Sequence, residues 1–171
     1  MELGQLHERG GGWRLEFERT FAHPPEKVWR ALTEPEHLVA WFPTTIEGDR
    51  VVGASLTFSF RNNEAPPFSG EMLVFEPPRV LEFSWGPDRL RIELRPDGDR
   101  TTLRFVDILE ERGKAARDGA GWHQCLDALA DCVAGTSAPR PGESTNWKEL
   151  HSAYVEAFGP AASTIGPPAM T

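Results

Sequence analysis

One amphipathic helix, placed after a long run of short strands, constrains this chain more than any other feature. Residues 113–133 read GKAARDGAGWHQCLDALADCV. Trp122, Cys125, Leu126, Leu129, Ala130 and Val133 recur at intervals of three and four and share one helical face; Gln124, Asp127 and Asp131 take the opposite one. A helix divided in this way lies over something apolar. Residues 55–109 supply that surface, because they read as short alternating strands. The expected arrangement is a sheet with the helix packed across it. What lies between the two is the functional question.

Along the chain, residues 1–12 read as a loose arm ending in Gly10-Gly11-Gly12, without the Lys-Ser or Lys-Thr of a phosphate loop. Residues 13–21 form the first strand, with Trp13, Leu15, Phe17 and Arg19 on one side. His23-Pro24-Pro25 stops it and opens a helix that turns Val28, Trp29 and Leu32 inward and breaks at Pro35; a second short helix spans 36–41. Strands follow at 44–47, 55–61, 68–76, 80–85, 89–95 and 101–109, divided by Gly, Pro and Asp turns. The connections are short, so consecutive strands pair antiparallel. After the central helix, residues 136–143 read as a linker. A helix at 144–159, capped by Ser144 or Thr145, carries Trp147, Leu150, Tyr154 and Phe158 at helical spacing, and 160–171 is a tail.

Charge and composition exclude several classes. A net charge of −8 with no basic run argues against nucleic acid and against anionic membrane surfaces. The longest apolar run, 38–42, is too short to span a bilayer, and no targeting signal opens the chain, so a cytoplasmic location is expected. The five histidines show no zinc-type spacing, and neither a metal nor a cofactor is expected. Cys125 and Cys132 lie roughly 10 Å apart along the helix, at about 1.5 Å per residue, beyond disulfide reach.

The phrases HPPEKVWRALTEPEHLVAWF, SGEMLVFEPPRVLEFSW, PDGDRTTLRF and GWHQCLDAL, in this order, resemble the START-like (SRPBCC) superfamily. Within it they are most similar to the branch named for homologues of the heat-shock-protein-ninety ATPase activator. The resemblance covers about residues 13–135. It implies an α+β helix-grip fold, in which a curved seven-stranded antiparallel sheet wraps a long C-terminal helix, with two short helices after strand one. It also implies a cavity that often holds an apolar ligand. The co-chaperone role in the branch name is not implied, since in the family it depends on a separate chaperone-binding domain. The segment NWKELHSAYVEAFG resembles an extension of bacterial members.

Trp41, Phe42, Phe58, Phe60, Met72, Phe83, Trp85, Phe105, Trp122, His123 and Leu126 fall where such a cavity would be lined. Two interiors fit this pattern: aromatic walls around a ligand, or a filled aromatic core. His123 flanks the apolar stripe, as a ligand contact or as a solvated or core-capping residue. Asp107 shares a face with Leu103 and Phe105 near its strand end and is expected to be exposed or paired with an arginine, with a buried polar anchor as the alternative. Glu71 and Glu82 are expected in solvent near Arg79, Arg89 or Arg91. No catalytic residues are assigned: Gly-x-Ser-x-Gly fails at Pro67-Phe68-Ser69-Gly70.

The leading expectation is a protein that sequesters a small apolar or aromatic molecule between sheet and helix. An enzyme of cyclase, dehydratase or hydrolase type, using His123 with Asp107 in the same cavity, is one alternative. An interaction module with a packed core is the other. The C-terminal helix is expected to pack on the sheet of its own chain, with a homodimer contact as the alternative.

Overall fold

The computed structural model describes residues 2–61, 63–137, 139–140, 143 and 146–166. Eight strands form one antiparallel sheet: β1 (Gln5–Arg9), β2 (Gly12–Phe21), β3 (Thr44–Glu47), β4 (Ser55–Phe60), β5 (Phe68–Glu76), β6 (Val80–Trp85), β7 (Asp88–Asp97) and β8 (Arg100–Leu109). Their order across the sheet is β1-β2-β8-β7-β6-β5-β4-β3. The helices α1 (Pro25–Thr33) and α2 (Pro35–Trp41) follow β2; α3 (Ala115–Ala134) and α4 (Trp147–Phe158) follow the last strand. This is the helix-grip arrangement, with one strand more than the seven expected.

The additional strand is β1, within residues expected to be a loose arm. Gly10 and Gly11 both adopt positive φ (60° and 80°), the conformation that closes a tight two-residue hairpin, and they fold β1 back onto β2 from Arg9↔Gly12 to Gln5↔Glu16. Beyond β1, the amide of Gly4 donates to the Tyr154 hydroxyl at 2.9 Å.

Period-two alternation determines the inner face. Leu15, Asp107, Leu90, Phe83 and Met72 stand side by side across five strands, all buried. The neighbouring row holds Phe17, Phe105, Ile92 and Leu81. The outer face carries an ion-pair ladder: Arg104 to Glu16 at 2.6 Å, Arg91 to Glu93 at 2.6 Å and Arg91 to Glu82 at 3.3 Å. Glu82, expected in solvent, is only 7% exposed, because the Arg89 and Arg91 side chains pair with it on this face.

The helix α3 buries Trp122, Cys125, Leu126, Leu129 and Val133 and ends at Gly135, whose φ of 77° closes the helix with a left-handed cap. Two positions depart from expectation. Ala130 is exposed, and Gln124, placed on the polar face, is buried because its amide donates to Asn146 Oδ1 at 2.8 Å where the chain leads into α4. The cysteines carry no disulfide; Cys125 is buried and Cys132 half-buried.

The helix α4 packs chiefly on α3 rather than on the sheet alone. Gly119 permits this, since a Cβ there would meet the Tyr154 ring at 2.9 Å. At twelve residues α4 is marginal by itself; burial of Leu150 and Tyr154, on the order of 2 kcal/mol each, holds it. Ser144 and Thr145, the expected caps, lie outside the described residues. The tail, expected to lack pattern, forms a short 3-10 turn at Pro160–Ala162 and returns to the foot of α3, where Ile165 donates to the Gly113 carbonyl at 3.1 Å.

Candidate functional site

Between the sheet and the middle of α3, buried side chains from both sides meet. Phe105 packs tilted against Trp122 at 5.0 Å and meets Phe17 edge-on at 6.1 Å, and Leu126 and Leu129 are buried on the same helix as Trp122. Space opens instead at one end of the sheet. There the α2–β3 connection, the end of β4, the β6–β7 turn, the first half of α3 and the approach to α4 border a cavity of about 860 Å³ that opens to solvent. That is within the usual size range of small-molecule pockets, roughly 300–1,000 Å³.

One wall is aromatic. Phe42, Phe60, Phe68, Trp85, Trp122 and Trp147 line it. The rings hold one another: Phe68 meets Trp85 edge-on at 4.9 Å, Phe42 meets Trp85 at 5.3 Å, and Trp85 meets Trp122 at 5.7 Å. Trp85 and Phe68 are only half-buried, so their ring surface is available to a ligand.

The other wall is charged. Lys114 Nζ sits 2.8 and 2.9 Å from the two oxygens of Asp88, which also accepts from the Glu110 amide. Arg117 Nε donates to Asp118 at 2.9 Å. Arg61 donates to the Phe42 carbonyl, and Arg140 completes the rim. Burial lowers the Arg61 pKa, and the neighbouring Arg140 charge lowers it further.

Beneath this wall lies Asp107. It is wholly buried, its Oδ2 accepts from the indole of Trp122 at 3.0 Å, and its Oδ1 has no hydrogen-bond partner among the described residues. The expectation of an exposed or arginine-paired Asp107 is corrected, because α3 closes over the end of β8. Burial raises its pKa well above the ordinary aspartate value, and the charges of Asp88 and Asp118 raise it further. One carboxylate oxygen from each of these three residues lies within 4.8 Å of the others. This is the grouping a cation would use, but Lys114 and Arg117 already answer Asp88 and Asp118. A proton on Asp107 leaves the cluster balanced.

Of the eleven residues singled out in the sequence, Phe42, Phe60, Trp85 and Trp122 line the cavity. Trp41, Phe58, Met72, Phe83, Phe105 and Leu126 are buried behind it; Trp41 spends its Nε1 on the Ala31 carbonyl at 2.8 Å. His123 is not in the lining: it is buried, with Nδ1 2.8 Å from the Tyr154 hydroxyl. Burial lowers its pKa against the opposing pull of Asp127.

Arg61, Phe68, Arg117, Asp118, Arg140 and Trp147 line the cavity without having been singled out for it. For the α3 residues a signal existed: 114, 117 or 118, 121 and 125 recur at helical spacing, which places them on one face. Arg61, expected as the last residue of the strand 55–61, lies in a turn just past β4, and Arg140 lies in the connection before α4, where no period operates.

A long helix gripped by an antiparallel sheet, with a cavity at the sheet's end, defines a START-like protein. Residues 22–134 match the family described as activator of Hsp90 ATPase homolog 1-like protein, and the chain belongs to that family. Among solved structures it is similar to a conserved protein of unknown function from Enterococcus faecalis (TM-score 0.77, 21% identity, 91% of this chain and 90% of that one). It is also similar to CalU16 from Micromonospora echinospora (TM-score 0.72, 24% identity, 94% and 96%). A protein from Bordetella parapertussis is similar as well (TM-score 0.66, 26% identity, 90% and 91%). No curated protein matches this chain in sequence. No helix among the described residues is long and apolar enough to cross a membrane.

Proposed function

We propose that this chain binds a small apolar or aromatic molecule in the cavity at the end of its sheet, without turning it over. The observation that carries this reading is the aromatic wall: six aromatic side chains face one cavity of about 860 Å³, and several of them are only partly covered. START-like folds commonly hold hydrophobic ligands, which supports the same reading. An enzyme built on His123 with Asp107 has less support, since His123 is engaged by Tyr154 and does not line the cavity. An interaction module also has less, since among the described residues the exposed large apolar side chains are Val51 and Val52, a single small patch. A cytoplasmic location accords with this role. A homodimer through α4 would have to use the part of that helix left over after Leu150 and Tyr154 are buried within the chain.

Native mass spectrometry of freshly purified protein, repeated under denaturing conditions, tests the reading. The expected result is a discrete small molecule released on denaturation, or saturable one-to-one uptake of a naphthalene-bodied probe by the unliganded protein. Absence of both overturns it.

A further inference from the structure

The charged wall of the cavity is not uniformly satisfied. Two of its cations are spent within the protein: Lys114 on Asp88 and Arg117 on Asp118. Arg61 and Arg140 are not. Neither guanidinium forms an ion pair among the described residues, and both line the same cavity as the aromatic wall. Arg61 is tethered by its bond to the Phe42 carbonyl, which uses one edge of the guanidinium and leaves its other donors available. Glu143 also lies on the rim, but its carboxylate accepts from the backbone amide of Arg140 at 3.3 Å rather than from the side chain. The Arg140 charge acts on Arg61 only as a repulsion, which an anion placed between them would reverse.

We infer that the ligand is an aromatic monocarboxylic acid, its flat body against Trp85 and Phe68 and its carboxylate held by Arg61 and Arg140. This inference deepens the binding reading above and rests on it. A planar guanidinium suits a carboxylate because two parallel N–H donors meet its two oxygens. Lys114 and Arg117 are already paired with Asp88 and Asp118, and Glu64 and Glu143 also line the cavity, so among the described residues no further cation is left for the added charges of a polyanion such as a nucleoside phosphate. A single negative charge on an apolar body meets both walls at once.

The test compares 1-naphthoate with its neutral isostere 1-naphthamide by titration against tryptophan fluorescence. The full chain is used, together with Arg61→Gln and Arg140→Gln. The acid is expected to bind at least about tenfold more tightly than the amide, since one charge-assisted hydrogen bond accounts for that factor. Added salt is expected to weaken the acid alone. Each substitution is expected to remove most of the preference for the acid while leaving amide affinity within about twofold, with circular dichroism confirming that the variants fold. Should Arg61→Gln fail to fold, Arg140→Gln carries the test. Equal binding of acid and amide to the wild-type chain, or a preference that survives both substitutions, overturns the charge assignment and leaves the apolar cavity standing. If neither compound binds, the binding reading fails with it.

Discussion

The indole Nε1 of Trp122 donates to Oδ2 of Asp107 at 3.0 Å, joining the middle of α3 to the last strand beneath the cavity. Asp107 stands in an inner-face row otherwise made of Leu15, Leu90, Phe83 and Met72, so it is the polar member of an apolar row. The bond fixes the Trp122 ring as part of the cavity wall. A buried group with this partner, and a second oxygen unpaired among the described residues, is stable as a neutral acid.

This has a consequence for pH. The folded-state pKa of Asp107 is raised above its ordinary value of 3.8, mainly by burial and then by Asp88 and Asp118. Its stabilising contribution is therefore fully present below the unfolded value and is lost as pH rises toward the folded value, by about 1.4 kcal/mol per pH unit within that window. Asp107→Asn keeps an acceptor for Trp122 and cannot ionise. The stability of Asp107→Asn relative to wild type is expected to rise as pH increases above the ordinary aspartate value of 3.8, read by urea denaturation. A difference independent of pH would show that Asp107 is not held neutral.

His123 titrates with the opposite sign. Its pKa is lowered from 6.5, chiefly by burial, with Arg19 adding to the shift and Asp127 opposing it. Stability from the neutral ring is complete above the unfolded value and is lost as pH falls from there toward the folded value. Titration followed by NMR of the ring protons is expected to give a midpoint below 6.5. A midpoint above it would mean that Asp127, 3.7 Å from Nε2, governs the ring instead.

The joint between α3 and α4 depends on one missing side chain. Gly119→Ala drives a methyl group into the buried Tyr154 ring and is expected to destabilise the fold by about 1–3 kcal/mol. Tyr154→Phe leaves the Gly4 amide without its partner and is expected to cost about 1–3 kcal/mol. Thermal unfolding checks both, and values near zero would mean that α4 is dispensable to the core.

Lys114 and Asp88 form a nearly buried pair, with side chains 12% and 4% exposed. Lys114→Met leaves Asp88 without its cation beside Asp118 and Asp107, and is expected to cost about 3–5 kcal/mol at neutral pH in urea denaturation. A loss below about 1 kcal/mol would mean that the charge of Lys114 contributes little.

Much of this was legible in the residue order. Leu56 with Phe58, Leu81 with Phe83, and Leu90 with Ile92 and Leu94 alternate clearly, and each marks a strand of the sheet. The strand β1 was not legible because QLHER offers little but Leu6 to the core; its pairing comes from the Gly10-Gly11 turn and the neighbouring edge of β2. In the site, four rings of the aromatic wall, Phe42, Phe60, Trp85 and Trp122, were among the residues singled out in the sequence; Phe68 and Trp147 were not. Nor were two arginines of the charged wall: Arg61 follows β4 and Arg140 lies in a Pro-rich connection, so only the folded chain brings them together. Asp107 was misplaced for a related reason, since its burial is decided by an indole fifteen residues later.

The six tryptophans give the most direct measurement of the central claim. Trp85, Trp122 and Trp147 line the cavity; Trp13, Trp29 and Trp41 do not. In a two-dimensional nitrogen–proton NMR spectrum each indole gives its own signal. Titration with 1-naphthoate is expected to shift the signals of Trp85, Trp122 and Trp147 together in one saturable event and to leave the other three in place. Unchanged cavity signals at saturating probe, or shifts centred on Trp13, Trp29 or Trp41, would contradict the site described.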